Sequence, residues 1–125
     1  MLYLGIDWGE KRIGLALGDN ETGIASPFRV VKNLKEVLEV IRGEGVEAVV
    51  VGRPVSISNH QLAISNREFN AFADGLKEKT DRPVFFMDER LSSKAADALA
   101  GDRKTKASRD AAAAMIILQA FFDRN

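Results

Sequence analysis

Residues 2–19 read LYLGIDWGEKRIGLALGD, and they indicate how the sheet begins. Its two short apolar runs are separated by a polar turn, which predicts two consecutive strands. A third apolar run, IASPFRVV at 24–31, follows a second turn cluster. Because Pro27 cannot donate a hydrogen bond within a sheet, we expect this third strand to lie at an edge or to be irregular. The three predicted strands, 2–8, 13–18 and 24–31, form an antiparallel meander.

The rest of the chain alternates between helix and strand patterns. After Asn33, a candidate N-cap, apolar residues recur with helical spacing until Gly43 or Gly45 ends the helix. The segment AVVVG at 48–52 is apolar throughout, as in a strand buried on both faces. The further predicted elements are a helix over 61–79, a strand over 84–88, a helix over 94–100 and a helix over 109–123 that begins after Ser108.

The element order βββαβαβαα is typical of an α/β fold with a mixed five-stranded sheet and helices on its faces. A length of 125 residues corresponds to the usual size of one domain. We therefore predict a single domain over residues 1–125.

Composition and charge exclude several classes of protein. The chain has no cysteine, which excludes disulfides, thiolate zinc sites and a cysteine nucleophile. Its 18 basic and 18 acidic residues cancel, so any nucleic-acid binding must use local clusters of positive charge. The N-terminus lacks the basic start and cleavage site of a signal peptide, and no apolar stretch reaches the length of about 18 residues typical of a membrane span. We expect a cytoplasmic protein that does not contact a membrane.

Two strand ends carry acids that the predicted fold would bring together. Asp7 ends a strand expected to be central, where an isolated carboxylate costs about several kcal/mol unless it is paired or metal-bound. Pairing with Lys11 or Arg12 is the open alternative. Glu89 follows the strand VFFMD, and it is preferred to Asp88 because adjacent strand residues face opposite sides. The alternative for this pair of acids is a surface salt bridge.

A third acid, Asp110, is predicted in the first turn of the last helix. A favourable interaction with the helix dipole would explain it without any further role. In the functional interpretation, the start of the helix presents this carboxylate to the strand ends. Asp7, Glu89 and Asp110 can then hold one or two Mg²⁺ or Mn²⁺ ions, with water and phosphate oxygens completing the shells. The sole histidine, His60, is expected to be structural or solvated.

Basic residues adjoin these acids in the sequence. Such clusters usually form a solvated surface, but here each cluster adjoins a predicted site element, and we predict that they bind phosphates around an acidic centre. The basic residues concerned are Lys11, Arg12, Arg53, Arg90, Lys94, Arg103, Lys104, Lys106 and Arg109.

Four segments carry a resemblance to a known family. GIDWGEKRIGLALGD at 5–19, VVVGRP at 49–54, DERLSSKAA at 88–96 and RDAAAAMIILQAF at 109–121 resemble the YqgF family, also called RuvX. Its members are Holliday junction resolvase-like proteins, regarded as pre-16S rRNA nucleases. The resemblance covers nearly the whole chain in the right order, and the D-x-G-x-K-R-I-G and D-E-R-L segments together are specific.

The resemblance implies an RNase H-like fold and divalent-metal hydrolysis of nucleic acid, with maturation of the 5′ end of 16S rRNA in the bacterial cytoplasm as the task. The implied partners are pre-rRNA or branched DNA and the ribosome, and the implied state is a monomer or weak homodimer. The family's acidic residues map onto Asp7, Glu89 and Asp110, and its basic motif residues map onto Lys11, Arg12 and Arg90.

One departure from the family pattern bears on substrate contacts. After the fourth strand the family continues with a turn similar to Asn-Met-Asp-Gly, whereas this chain has VSISNH at 55–60. The alternative functions are a resolvase of Holliday junctions or other branched DNA and a non-catalytic nucleic-acid-binding module. A further alternative is a nucleotide-binding domain of the actin-like ATPase type, which shares the Asp-x-Gly strand–turn–strand, although this chain is too short for the two halves of those proteins.

Overall fold

The protein is described by a computed structural model over residues 1–53, 60–88 and 106–124. The strands are β1 (Leu2–Asp7), β2 (Ile13–Asp19), β3 (Ile24–Val31), β4 (Ala48–Arg53) and β5 (Val84–Asp88). The helices are α1 (Leu34–Glu44), α2 (His60–Lys79) and α3 (Lys106–Asp123).

The five strands form one mixed sheet in the order β3-β2-β1-β4-β5. β1, β2 and β3 pair antiparallel, as the predicted meander requires, and β1, β4 and β5 pair parallel. β3 is an edge strand, and its register with β2 shifts between Leu15 and Ala16, close to the pairing of Ala16 with Pro27. The prediction from Pro27 is therefore confirmed, because its strand lies at the edge of the sheet and its pairing is irregular beside the proline.

Two apolar cores lie on opposite faces of this sheet. One face packs against α1 and α2, through residues that include Ile6, Val51 and Phe69. The other face packs against α3, through residues that include Val50 and Ile117. Because side chains alternate along a strand, each central strand contributes to both cores, which is why the run AVVVG carries no polar residue.

Local signals define the ends of α1. The side chain of Asn33 accepts a hydrogen bond from the backbone N–H of Glu36 at 3.0 Å, so Asn33 is the predicted N-cap. The Glu36 carboxylate in turn accepts from the backbone N–H of Lys32 at 2.6 Å. Gly45, with φ of 70°, ends the helix in the left-handed conformation that favours glycine.

The start of the last helix differs from the prediction. α3 begins at Lys106 and not after Ser108, so Ser108 lies inside the helix. Lysine and alanine are good helix formers, and they extend the helix past the local capping signal. Asp110 is consequently the fifth residue of α3, and the first turn contains no acid. The predicted position of Asp110 in the first turn is therefore wrong by one residue, and the helix dipole stabilises a carboxylate there less than within the first turn.

Two predicted segments lie outside the described residues: the helix over 94–100 and most of the divergent turn at 55–60, of which His60 alone is described, as the first residue of α2. Among the helices that the structure describes, none has the length and apolar character needed to cross a membrane.

Candidate metal and nucleic-acid site

The carboxyl ends of three parallel strands meet at one edge of the sheet. Asp7 ends β1 and is paired with Gly52 of β4, and Arg53 at the end of β4 is paired with Asp88 of β5. Reactive groups of α/β sheets collect beyond such strand ends, because the chain leaves the sheet there and side chains can converge.

Asp7 lies on the face of the sheet that carries α3. Along β1 the residues two and four positions earlier, Gly5 and Tyr3, both pack against α3: the ring of Tyr3 lies 5.7 Å from that of Phe121, and a Cβ on Gly5 would meet the carbonyl oxygen of Ala114 at 2.8 Å. Strand alternation therefore directs Asp7 to the same side. Its Oδ1 atom is buried. A carboxylate oxygen removed from water requires compensating positive charge or hydrogen-bond donors.

Two glycines flank Asp7 in the neighbouring strands. Gly14 of β2 and Gly52 of β4 are its partners in the sheet register. A Cβ on Gly14 would collide with the backbone carbonyl of Asp110, and one on Gly52 would collide with the side chain of Ile117. The missing side chains thus let α3 approach the sheet beside Asp7, with the backbone of Asp110 directly on β2.

Asp110 makes an ion pair with the turn that follows β1. Nε of Arg12 donates to Oδ2 of Asp110 at 2.9 Å, and the two side chains are 44% and 28% exposed. Arg12, one of the two candidate partners of Asp7 in the sequence, thus pairs with an acid 98 residues away. The turn that places Arg12 is tight, because a Cβ on Gly9 would lie 2.7 Å from the carbonyl oxygen of Arg12.

The donor set at this edge of the sheet fits a divalent cation. Asp7 and Asp110 are brought to one face of the sheet, and carboxylate oxygens are the ligands preferred by Mg²⁺ and Mn²⁺. The guanidinium of Arg12 lies against Asp110, so this carboxylate already attracts a cation. Within residues 1–53, 60–88 and 106–124, no three His, Asp or Glu side chains form a metal-binding group. The third predicted ligand, Glu89, lies outside these ranges.

The predicted phosphate-binding residues divide between the two faces of the sheet. Lys11 and Arg12 are exposed in the turn after β1, and Arg12 pairs with Asp110 on the face that carries α3. Arg53 instead lies over the ring of Phe86, 4.6 Å from its centroid, and Phe86 belongs to the core beneath α2. Lys106 is the first residue of α3. Arg90 and Lys104 lie outside the described residues.

The sequence alone did not identify the residues through which α3 binds and packs against the sheet. Gln119 binds the backbone of the β3 edge: its Nε2 donates to the carbonyl of Gly23 at 2.7 Å, and its Oε1 accepts from the N–H of Ala25 at 2.9 Å. The role of Gly14 was also missed, although the alternation of small and large residues in IGLALG was its signal. A stripe of small residues on a strand often marks the close approach of another backbone.

Comparison with known proteins identifies the family. The family model described as "RuvX: Holliday junction resolvase" matches residues 1–124. The chain belongs to the RuvX family. A relative from Maridesulfovibrio salexigens, named "Putative pre-16S rRNA nuclease", is 37% identical over 135 residues that cover 99% of both chains. A relative of the same name from Roseiflexus sp. is 37% identical over 131 residues, covering 96% of this chain and 92% of its own length.

Solved structures show the same fold. RuvC of T. thermophilus in complex with a Holliday junction substrate has a TM-score of 0.70 at 21% identity, with 99% of this chain and 95% of that chain covered. The fowlpox virus resolvase with substrate Holliday junction DNA has a TM-score of 0.61 at 12% identity, with 99% and 98% covered. At such low identity this likeness establishes the fold alone, and the predicted RNase H-like architecture is confirmed.

The family establishes the class of activity. RuvX proteins and the named relatives are nucleases, so the prediction of a hydrolase acting on ester bonds is confirmed for this chain. Nucleic acid is its partner, and the family implies a divalent metal.

Proposed function

We propose that this RuvX protein is a Mg²⁺- or Mn²⁺-dependent nuclease that matures the 5′ end of pre-16S rRNA, with Asp7, Glu89 and Asp110 as metal ligands. The names of the relatives support this substrate. The observation that carries the metal assignment is the placement of Asp7 and Asp110. The two acids lie 103 positions apart in the chain. Even so, the backbone of Asp110 packs against Gly14, which is the partner of Asp7 in the sheet register.

Support for Glu89 as the third ligand comes from the alternation of β5. Phe85 and Met87 lie on the face of α3, whereas Val84 and Phe86 pack with the opposite core. If the strand pattern continues for two residues beyond Met87, position 89 shares the face of Asp7. This favours Glu89 over Asp88, as the sequence predicts.

The proposed chemistry is hydrolysis of a phosphodiester bond. When bound, divalent ions supply an activated water and neutralise negative charge that develops at the phosphate. The carboxylates of the chain hold the ions at the sheet edge. Lys11 and Arg12 contact flanking phosphates on this side, and Arg90, Lys104 and Lys106 extend the positive surface. Arg53, on the other face, contacts nucleic acid only where the substrate passes around the end of β4.

The replacement Asp7→Asn tests the proposal, because it removes one charge at a nearly constant shape. We expect it to lower metal-dependent cleavage of an RNA carrying the 5′ extension of pre-16S rRNA by roughly 10²-fold or more, since even outer-shell partners of metal ligands contribute about 10–100-fold. The matched control is Asp81→Asn, which alters a 90% exposed acid paired with Arg82 before the start of β5. Full activity of the Asp7 variant in a clean preparation would refute the metal assignment.

Cleavage of a four-way DNA junction is a second candidate activity. It is favoured by the fold, since resolvases solved with Holliday junctions superpose over nearly the whole chain. The two candidates are separated by offering both substrates to the same preparation. Cleavage of the RNA with an uncut junction supports the rRNA assignment, and the reverse supports a resolvase.

The setting of the proposed activity follows from its substrate. Processing of rRNA places the protein in the cytoplasm with the assembling ribosome as a further partner. The proposed oligomeric state is a monomer or a weak homodimer, to be measured by sedimentation of the full chain at several concentrations. The proposed domain organisation is a single domain over residues 1–125.

A further inference from the structure

The ion pair between Arg12 and Asp110 places a cation on a proposed metal ligand. It joins the turn after β1 to the second turn of α3, and Nε of Arg12 approaches Oδ2 of Asp110 at 2.9 Å. The backbones of both partners are fixed. Arg12 immediately precedes β2 and follows the tight turn at Gly9, whereas Asp110 is packed against Gly14. Exchange of this pair therefore requires only that the exposed side chain of Arg12 rotates away from the partly buried carboxylate of Asp110.

Simultaneous binding of a divalent ion and this guanidinium to Asp110 is electrostatically unfavourable. Both are attracted by the same carboxylate, and at contact distance from that carboxylate they repel each other. The arginine side chain is 44% exposed, so a path to solvent is open to it. A guanidinium released in this way carries donors that match a phosphate in a bidentate geometry.

We propose that Arg12 is the resident cation of the metal-free site: it holds Asp110 until a divalent ion displaces it. This inference rests on the proposed function, in which Asp110 is a metal ligand. The replacement of Arg12 by a divalent ion at Asp110 then has two consequences. It assembles the acidic centre, and it frees an arginine beside that centre for a phosphate of the substrate. Arg12 is thus a positioning residue whose partner changes with the state of the site.

The test is the affinity of the full-length protein for Mn²⁺ alone, measured by electron paramagnetic resonance of the free ion. Arg12→Ala removes the competitor, and we expect Mn²⁺ to bind about two- to fivefold more tightly, the size expected for a partly exposed ion pair. The gain should shrink at high ionic strength, where screening weakens the pair. Lys11→Ala is the matched control, since it removes the same charge one position away and should give a clearly smaller gain.

A second measurement detects the exchange directly. In ¹⁵N–¹H spectra, the Arg12 Nε–H resonance is assigned by its loss in Arg12→Lys. Titration with diamagnetic Mg²⁺ should move this resonance from a hydrogen-bonded to a solvent-exchanging position, with the same midpoint as metal binding. An unchanged resonance at Mg²⁺ saturation overturns the proposal.

The outcomes separate this inference from the proposed function. If Asp110→Asn weakens Mn²⁺ binding but Arg12→Ala leaves it equal or weaker, Arg12 orients Asp110 for the metal and the exchange is refuted alone. If Asp110→Asn binds Mn²⁺ as tightly as the unaltered protein, the metal assignment of Asp110 and the exchange both fail. Tighter binding in Arg12→Ala with a moving Nε–H resonance supports the exchange, because a purely structural ion pair gives neither.

Discussion

Gly14→Ala tests whether the site depends on direct contact between α3 and β2. The added Cβ would collide with the backbone carbonyl of Asp110 and would lie 3.0 Å from the amide nitrogen of Ala111. Both obstacles are backbone atoms, so no side-chain rotation relieves them, and α3 must move away from β2. Overpacking of this kind costs about 1–3 kcal/mol or more. We therefore expect the free energy of unfolding to fall by at least that amount.

The same displacement should separate Asp110 from Asp7. A shift of about 1 Å in a positioned group is enough to cost roughly 10²-fold in rate. Gly14→Ala should thus weaken Mn²⁺ binding and cleavage as well as stability, in protein that remains folded at low temperature.

Urea unfolding followed by the fluorescence of Trp8, the only tryptophan, measures the stability change. Gly43→Ala is a matched control, because Gly43 lies inside α1 and its added Cβ would meet nothing within 4 Å. It should be more stable than the unaltered protein by about 0.5–1 kcal/mol. If Gly14→Ala retains both the stability and the Mn²⁺ affinity of the unaltered protein, the seating of α3 on Gly14 does not position the site.

Three further predictions address the seating of α3, the cap of α1 and the metal. Gln119→Ala should lower the free energy of unfolding by about 1–3 kcal/mol, since the backbone groups of Gly23 and Ala25 at the start of β3 lose their partner. A change below about 0.5 kcal/mol in urea unfolding would contradict this. Asn33→Ala should cost about 1 kcal/mol through loss of the N-cap, yet leave Mn²⁺ affinity unchanged, because α1 lies on the opposite face of the sheet. Chelation of divalent ions should abolish cleavage. Mg²⁺ at about 100 times its dissociation constant should restore cleavage and raise the free energy of unfolding by about 2.7 kcal/mol. Cleavage that persists in chelator argues against a metal-dependent reaction.

The fold could be predicted because its signals are local. Alternation in the first 31 residues identifies the meander, Pro27 identifies an edge, and Asn33 and Gly45 define α1 by capping alone. Each of these features depends on residues a few positions apart, where sequence pattern and backbone conformation are directly coupled. The start of α3 was mispredicted because Ser108 satisfies a local capping rule, whereas the helix-forming residues before it, Lys106 and Ala107, extend the helix.

The sequence predicts which acids are candidates for the site, but it does not predict the contacts that they make. The position of Asp7 at a strand end follows from the sequence, and the register then supplies its two glycine neighbours. The ion pair between Arg12 and Asp110 joins segments 98 residues apart, and no local pattern encodes such a distance. The contact of Gly14 with Asp110 is similarly distant in the sequence. The small residue in β2 indicates that another backbone approaches the strand there, but it does not indicate which one.

Anomalous diffraction from crystals soaked in Mn²⁺ locates the ion without assuming a reaction, and it decides whether the three acids form one metal site. We predict a peak in contact with the carboxylates of Asp7, Glu89 and Asp110 at about 2.0–2.3 Å, with Arg12 displaced from Asp110. An ion bound elsewhere, or soaked crystals in which Arg12 still pairs with Asp110 and no peak lies beside Asp7, would contradict it.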